Sequence, residues 1–207
     1  MPEVVFATDH LVVINKPAGL LSVPGKGPKN QDCVPARARL MFPHATGPIT
    51  VHRLDMDTSG LLVIALDPDT QRELSRQFEE REVDKSYTAL VEGTLAPESG
   101  TIDAPIRPDL SRRPHQVIDP THHRPAITRF KVLGFEPGRT RLELTPLTGR
   151  THQLRVHAAY AGHPIVGDVL YGHDERNAPR LMLHASMLAF TEPATGCRAA
   201  FRSTPPF

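Results

Sequence analysis

A polar segment, VHRLDMDTSG at residues 51–60, stands directly before the apolar run LLVIAL. A carboxylate acts as a nucleophile when it is ionised and shielded from competing water, and the end of a buried strand offers such shielding. A neighbouring guanidinium, here that of Arg53, favours the charged form of a carboxyl group. An Asp–Arg pair in a turn is nevertheless more often structural than catalytic. Asp55 is therefore a candidate nucleophile, and a structural turn is the alternative.

Residue spacing excludes several other chemistries. DMDTSG begins like a calcium-binding loop, but Leu66 stands where a bidentate Glu is needed. GLLSVPGKG lacks the glycine spacing of a phosphate-binding loop, and Gly27 replaces the hydroxyl residue that would bind magnesium. Asp57-Thr58-Ser59 resembles half of an aspartic-protease site, but the sequence contains no second copy to form the dyad. The sequence also has no HExxH or Cys/His ligand set, so we expect neither a metal nor another cofactor.

The composition is that of a globular chain. Its 207 residues suffice for a sizeable core, and 39% hydrophobic and 23% charged residues are ordinary values. The N-terminus MPEVVFATDH carries acidic residues where a secretory signal needs basic ones, and no apolar run is long enough to cross a bilayer. Cys33 and Cys197 form no ligand pattern. We therefore expect a cytoplasmic protein with reduced thiols and no contact with a membrane.

A local excess of positive charge lies within a chain whose net charge is only +1. Residues 107–131 contain six basic and two acidic side chains, a local net charge of +4. At physiological salt the field that a phosphate group meets is local, so such a stretch is typical of nucleic-acid contact. A solvated loop explains the charge equally well. The basic residues are Arg107, Arg112, Arg113, Arg124, Arg129 and Lys131, and the acidic ones are Asp109 and Asp119.

Short strands dominate the predicted secondary structure. Apolar and β-branched runs bounded by turn residues predict eight of them. Four are residues 4–6, 11–14, 49–54 and 61–66, of which the last two flank the candidate nucleophile. The other four are SYTALVEGTL and TIDAPI, joined by a PESG turn, and AITRFKVLGF and TRLELTPL, joined around EPGR.

Two helices are predicted between these strands. Asp67 is suited to cap a helix whose first residue is Pro68. THQLRVHAAYA at 151–161 predicts the second helix, with Thr151 as its cap and Gly162 after its end. Few helices among many strands predict an α+β fold, with a mixed, mostly antiparallel central sheet and a few flanking helices, in a single domain over residues 1–207.

Six motifs, in order along nearly the whole chain, resemble those of the RluA-type pseudouridine synthases, which isomerise uridine in RNA. The motifs are NKPAGLLSVPG at 15–25, HRLDMDTSG at 52–60, KSYTALV at 85–91, TGRTHQLRVH at 148–157, GHPIVGD at 162–168 and PRLMLHA at 179–185. The resemblance implies an isomerase of the pseudouridine synthase fold that requires no metal or redox cofactor.

The resemblance also implies roles for particular residues. Asp55 would attack C1′ of the ribose or C6 of the base, and both routes stay open. Arg155 would hold Asp55 ionised and oriented, and Tyr87 would lie against the uracil and relay the C5 proton. The target uridine must be flipped out of its stack to be reached. Residues implied in substrate binding are His52, Arg53, Leu54, Thr58, Arg107, Arg112, Arg113, Arg150 and Leu154.

Within this family, two features resemble the dual-specificity members, which act on 23S rRNA and on the anticodon stem-loop of tRNA. These features are the sequence of the segment LLSVPG and the expected absence of an S4-type RNA-binding domain before NKPAG. We expect a monomer whose partners are these RNAs. The segment PTHHRPAIT diverges most from the family pattern, which leaves substrate choice open. The alternatives are the same reaction on one RNA class, tRNA only or rRNA only, and a non-catalytic RNA-binding or folding role.

Overall fold

Strands alternate with three α-helices in residues 1–173 and 178–207, the part of the chain that the computed structural model describes. The elements up to residue 79 are β1 (Glu3–Ala7), β2 (Leu11–Lys16), a short 3₁₀ helix (Pro28–Asn30), α1 (Val34–Met41), β3 (Ser59–Ala65) and α2 (Pro68–Glu79). Those that follow are β4 (Asp84–Glu92), β5 (Ser99–Asp103), β6 (Ile106–Pro108), β7 (Gln116–Ile118), β8 (Ile127–Glu136), β9 (Arg139–Pro146), α3 (Gln153–Tyr160), β10 (Leu183–Thr191) and β11 (Arg198–Arg202). They form two compact units, residues 1–85 with 184–206 and residues 86–183 with 207.

The sheet of the first unit has the strand order β1-β2-β3-β10, with β11 paired to β10. Its pairs are antiparallel except β3 and β10, which are parallel. The sheet packs its apolar side chains around the buried Leu74 of α2 and Phe190 of β10. The strands predicted at 4–6, 11–14 and 61–66 are thereby confirmed.

The strand predicted at 49–54 is wrong, although the segment does lie beside β3. It forms one isolated bridge, Thr50 to Ile64. The next backbone donor of β3, the N–H of Val63, binds Nε2 of His52 at 3.2 Å instead of a carbonyl. The Thr50 carbonyl accepts from the side chain of Gln71 at 3.1 Å. Side chains thus take the positions that a backbone ladder would occupy, and the segment is left free to turn at Asp55.

The helix predicted to begin at Pro68 is confirmed as α2. The side chain of its cap, Asp67, accepts from the N–H groups of Asp69 and Thr70 at 3.0 and 2.9 Å. These bonds satisfy two of the backbone donors that every helix leaves unpaired at its start.

The sheet of the second unit has the order β4-β9-β8-β5 and is antiparallel throughout, while β6 and β7 pair as a separate hairpin. The hairpin predicted around EPGR is confirmed as β8 and β9. The strands joined by PESG exist as β4 and β5, but they are not neighbours. As the chain leaves β4, the N–H of Gly93 donates to the carbonyl of Gly138 at 2.8 Å. This contact ties the end of β4 to the β8–β9 turn, so β5 forms at the far edge of the sheet.

The third helix begins later than predicted. Thr151 does not cap it, since α3 starts at Gln153 after His152, whose φ of 55° lies in the left-handed region. The side chain of Gln153 instead folds back and accepts from the N–H of Arg150 at 3.0 Å. Gly162 follows the helix with φ 82°, as expected for a glycine at a helix end.

The observed elements confirm the predicted fold class, α+β with a mostly antiparallel sheet and few helices. Within the described ranges, the longest helix has 12 residues, and none is long and apolar enough to cross a membrane.

Candidate active site

The backbone just before Asp55 is fixed by one hydroxyl group. Ser22 donates its Oγ hydrogen to the carbonyl of Leu54 at 2.7 Å, and the N–H of Leu54 donates back to the same Oγ at 3.0 Å. Both residues are buried. Ser22 belongs to LLSVPG, so this pair of bonds joins two of the sequence motifs and holds the half-buried Asp55 at the exit from the core.

The backbone just after Asp55 is fixed by a buried ammonium group. Lys16 is 0% exposed, and its Nζ donates to the carbonyls of Pro17, Leu20 and Met56 at 3.0, 2.8 and 2.8 Å. The N–H of Gly19 donates to the same Met56 carbonyl at 2.9 Å. Burying a lysine is favourable only when its charge is well solvated by protein groups. The carbonyls supply that solvation and hold the turn at residues 55–58.

The turn then passes directly into β3. The N–H of Thr58, whose side chain is buried, donates to the carbonyl of Asp55 at 3.2 Å. Ser59 follows, and its Oγ lies 2.8 Å from Nδ1 of the buried His184. At Gly60, φ is 114° and an added Cβ would lie 2.4 Å from the carbonyl oxygen of Ala185. Glycine is therefore required where β3 approaches β10, five residues after Asp55.

His52 and Arg53, the residues before Leu54 and Asp55, differ in their surroundings. The His52 ring stacks on Phe78 with centroids 4.3 Å apart. Desolvation, together with the charge of Lys85, lowers the pKa of His52 to about 3, so the imidazole is neutral at physiological pH. Arg53 is exposed. Of these two residues, it is therefore Arg53 that supplies positive charge.

In the second unit, Arg155 forms a buried, bidentate ion pair with Asp168. Its Nε and Nη2 donate to the two carboxylate oxygens at 2.8 and 2.7 Å, and the side chains are only 4% and 0% exposed. Such geometry fixes the plane of the guanidinium. The carboxylate partner of the buried Arg155 is thus Asp168, a residue that the sequence analysis did not name, while the predicted contact with Asp55 stays a prediction.

Tyr87 and Leu154 belong to one apolar cluster in the same unit. Leu154 of α3 is buried with Leu142 and Leu144 of β9, and the half-buried Tyr87 of β4 packs against this cluster. The phenol ring thus has a fixed apolar support, as a residue that orients a flat base requires. Their predicted roles in catalysis and substrate binding stay predictions.

The predicted phosphate-binding arginines of the β6–β7 hairpin are partly neutralised by neighbours. Arg107 donates from Nε to Asp119 at 2.6 Å, and Arg112 donates from Nε to Asp109 at 2.9 Å. Hydrogen bonds from Ser111 and Arg112 lower the pKa of Asp109 to about 2, and bonds from Thr121 and Arg107 do the same for Asp119. These pairs lie at the surface, where solvent screens them, so phosphates can compete for the arginines.

Arg113 and Arg150 are two further arginines that we predict to bind the substrate. Arg113 is exposed in the β6–β7 turn, with no carboxylate in ion-pair distance among the residues described. Arg150 donates from Nε to the carbonyl of Pro125 at 3.1 Å, which holds it at the approach to α3.

Comparison with known proteins shows the family to which the chain belongs. A sequence model described as RNA pseudouridylate synthase matches residues 10–160. The chain belongs to this family. An RNA pseudouridine synthase is an isomerase, so the predicted enzyme class is confirmed.

Relatives over the full length support the same pseudouridine synthase assignment. The dual-specificity RNA pseudouridine synthase RluA of Yersinia pestis is 46% identical, over 96% of this chain and 97% of that protein. The protein of the same name from Escherichia coli K12 is 44% identical, over 99% and 93%. The structure of human RNA pseudouridylate synthase domain containing 1 matches with a TM-score of 0.83 at 32% identity, over 100% of this chain and 84% of that one. The predicted RluA-type family is confirmed.

Sequence reasoning missed three residues that shape this synthase's candidate site. Lys16 lies in the NKPAG motif, but nothing in the sequence shows that its ammonium is buried. Asp168 ends the GHPIVGD motif, and the preceding run of apolar residues was the available signal that it is buried and paired. Tyr171, whose ring lies over the Arg155 guanidinium at 5.3 Å, carried no signal beyond its type.

Proposed function

We propose that this pseudouridine synthase uses Asp55 as its nucleophile. The observation that carries the proposal is the anchoring of the backbone on both sides of Asp55, by Ser22 before it and by Lys16 after it. A nucleophile must be held within a narrow range of positions, because small displacements of reacting groups are costly. These anchors act on backbone atoms of the two residues that flank Asp55, Leu54 and Met56.

The proposed reaction rearranges uridine without net gain or loss of atoms. Asp55 attacks C1′ of the ribose or C6 of the base, and the N-glycosidic bond breaks. The uracil rotates, and C5 forms a bond to C1′. If Asp55 has attacked C1′, its bond to C1′ breaks as the C5–C1′ bond forms; if it has attacked C6, it leaves C6 afterwards. C5 loses its proton and N1 gains one. We propose that Tyr87 lies against the uracil and relays the C5 proton.

Arg155 is proposed to keep Asp55 ionised and oriented. An arginine that is fixed by a buried carboxylate keeps one edge of its guanidinium in a defined direction, because the bidentate pair with Asp168 fixes its plane. We propose that the guanidinium, held in this way, serves Asp55 and the flipped nucleotide. The pair with Asp168 supports this proposal, since it leaves Arg155 no freedom to move into solvent.

RNA is proposed to contact residues of both units. Flipping a uridine out of its stack costs a few kcal/mol, which contacts to the backbone and the vacated space must offset. The exposed Arg53 is suited to fill that space, and the β6–β7 hairpin to bind phosphates. The proposed substrate-binding residues are His52, Arg53, Leu54, Thr58, Arg107, Arg112, Arg113, Arg150 and Leu154.

We propose 23S rRNA and the anticodon stem-loop of tRNA as the substrates. The name dual-specificity RNA pseudouridine synthase, carried by relatives 44–46% identical over nearly the whole chain, supports two RNA classes. We further propose that residues 1–207 act as a single catalytic domain, as a monomer, in the cytoplasm where these RNAs are found.

Tritium release from C5-labelled uridine tests the nucleophile and the substrates together. Wild type, Asp55→Asn and Asp57→Asn are each incubated with a labelled tRNA and a labelled 23S rRNA fragment. Asp57 is the matched control, since it is a half-buried carboxylate two residues away in the same turn. We expect wild type and Asp57→Asn to release tritium from both RNAs and Asp55→Asn to release none.

Other outcomes separate the alternatives. Release from one RNA by the wild type would reduce the substrate range to that class. Release by Asp55→Asn at the wild-type rate would refute the nucleophile. If wild type bound both RNAs but released no tritium from them or from bulk RNA, a non-catalytic binding or folding role would replace the proposal.

A further inference from the structure

Tyr171 connects three parts of the second unit. Its hydroxyl oxygen accepts from the N–H of Gln116 in β7 at 2.8 Å and lies 2.8 Å from Nδ1 of His152. Its ring lies over the guanidinium of Arg155, with the central carbon 5.3 Å from the ring centroid. One side chain thus touches the β6–β7 hairpin, the start of α3 and the arginine that we assign to catalysis.

The bond to Gln116 fixes the hairpin at the end next to its turn. Gln116 begins β7 and pairs with Pro108, the last residue of β6. Its N–H therefore stands where the hairpin passes into the turn that carries Arg112 and Arg113. A tyrosine hydroxyl at this point holds the turn against the body of the unit.

The contact between the Tyr171 ring and the Arg155 guanidinium links Tyr171 to the arginine that we assign to catalysis. A cation over an aromatic ring is attracted by the partially negative face of the ring quadrupole, most strongly when both are partly desolvated. Asp168 strengthens the link, because its Oδ1 accepts the N–H groups of Leu170 and Tyr171 at 2.9 and 3.1 Å while the same carboxylate binds Arg155. The ring of Tyr171 and the carboxylate of Asp168 therefore hold the same guanidinium.

Apolar packing joins the hairpin to α3 at the same place. Ile106 of β6 and Val156 of α3 are buried in one cluster, against which Ile118 of β7 and Tyr171 pack. Val156 is the residue after Arg155. Movement of the hairpin therefore acts on the turn of helix that carries the catalytic arginine.

We propose that Tyr171 is a positioning residue that ties the RNA-binding β6–β7 hairpin to Arg155. The proposal rests on the proposed function of both parts. Its hydroxyl holds the hairpin in the position that binds RNA, and its ring holds the guanidinium in the position that serves Asp55. Binding of RNA to the hairpin is thereby mechanically connected to the orientation of Arg155.

The two halves of the side chain can be removed separately. Tyr171→Phe removes the hydroxyl and keeps the ring over Arg155, whereas Tyr171→Leu removes both. Tyr160→Phe is the matched control, because Tyr160 ends α3 in the same unit and is 63% exposed. The measurements are the Kd for RNA, the single-turnover rate at saturating enzyme, and hydrogen exchange of the Gln116 amide.

Each variant has a distinct expected result. Tyr171→Phe loses the hydroxyl contacts to Gln116 and to His152. The Gln116 amide should exchange faster and the Kd should rise about three- to tenfold, the range for losing the one bond that holds the hairpin, while the saturating rate stays within about twofold. In Tyr171→Leu the saturating rate also falls, by about tenfold. A residue with only a general structural role would change rate and affinity together, in proportion to the loss of thermal stability.

The proposal is overturned if Tyr171→Phe matches Tyr160→Phe in both Gln116 exchange and Kd. It is also overturned if Tyr171→Leu keeps the wild-type saturating rate. If the wild type itself released no tritium from any RNA, the proposed function would be wrong. Hydrogen exchange of the Gln116 amide, measured without RNA, would still test whether Tyr171 holds the hairpin. Faster exchange in Tyr171→Phe supports this contact, and unchanged exchange refutes it.

Discussion

Replacing Asp168 with Asn should destabilise the enzyme and inactivate it at the same time. The substitution removes the negative charge from an ion pair whose side chains are 4% and 0% exposed, and it leaves the Arg155 guanidinium buried with one acceptor in place of a bidentate carboxylate. Breaking a buried ion pair by neutralising one partner costs about 3–5 kcal/mol. For a chain of this size each kcal/mol lowers Tm by about 2–4 °C, so Tm should fall by about 6–20 °C.

The activity of Asp168→Asn should fall further than its stability explains. An arginine that is displaced by even a fraction of an ångström no longer orients the nucleophile, and a loss on the order of a hundredfold in rate is expected. Tritium release at a temperature well below the lowered Tm separates this loss from unfolding. Wild-type rate and wild-type Tm in Asp168→Asn would refute the argument that the buried pair positions Arg155.

A double variant and a matched control sharpen this test. Arg155→Met with Asp168→Leu replaces the pair by apolar side chains and should recover part of the lost stability, since buried pairs are often replaceable in this way, yet it should remain inactive. Asp32→Asn breaks an ion pair of the same bidentate geometry, with Nε and Nη2 of Arg37 each 2.7 Å from Asp32, but at an exposed site. Solvent screens that pair, so Tm and activity should stay close to those of the wild type. An active double variant would show that Arg155 is not needed.

Three further substitutions test the surroundings of the site. Lys16→Met removes the ammonium donor from three carbonyls, of which that of Met56 keeps the N–H of Gly19. It should cost about 3 kcal/mol of stability, measured by urea denaturation, and at least about tenfold in tritium release. Unchanged activity would show that the bond from Lys16 to the Met56 carbonyl does not position Asp55. The pKa of His52 is about 3 in the folded chain and 6.5 in the unfolded one, so the unfolded chain binds the extra proton between these values, and stability should fall as pH drops from 6.5 towards 3. In His52→Gln, whose amide oxygen can accept the same Val63 N–H, urea denaturation across this range should give a shallower pH dependence; an equal slope would contradict the assignment. Asp67→Ala removes the cap of α2 and should cost about 1 kcal/mol while tritium release stays at the wild-type rate, and a loss of activity would show that α2 influences the site.

Local signals account for the parts of the fold that the sequence predicts well. Asp67 and Pro68 specify the start of α2 through a cap and a preset backbone angle, and neither depends on distant residues. The order of the strands in the sheet, by contrast, is not determined by local signals. Whether β5 pairs with β4 depends on where the β8–β9 hairpin inserts, and the bond between Gly93 and Gly138 that marks this insertion joins residues far apart in sequence.

In the candidate site, too, some features follow from neighbouring residues and others depend on the assembled fold. The burial of Arg155 is predictable, because Leu154 and Val156 on either side of it are apolar. Its carboxylate partner Asp168 lies beyond the end of α3, and reaches the guanidinium only because the chain turns at Gly167. There φ is 77° and an added Cβ would lie 2.0 Å from the carbonyl oxygen of Arg180. Such a close approach of two backbones is a property of the assembled fold, and no periodicity in the sequence encodes it.

The anchor at Met56 uses only the main chain, while its side chain is 47% exposed. Position 56 therefore offers a chemical handle one residue from Asp55 that leaves the anchoring carbonyl in place. A cysteine introduced there, after the exposed Cys197 is replaced by Ser, would accept a thiol-reactive fluorophore, while the buried Cys33 is protected. The emission of such a label would report the arrival of RNA at the nucleophile in real time, without a radioactive substrate.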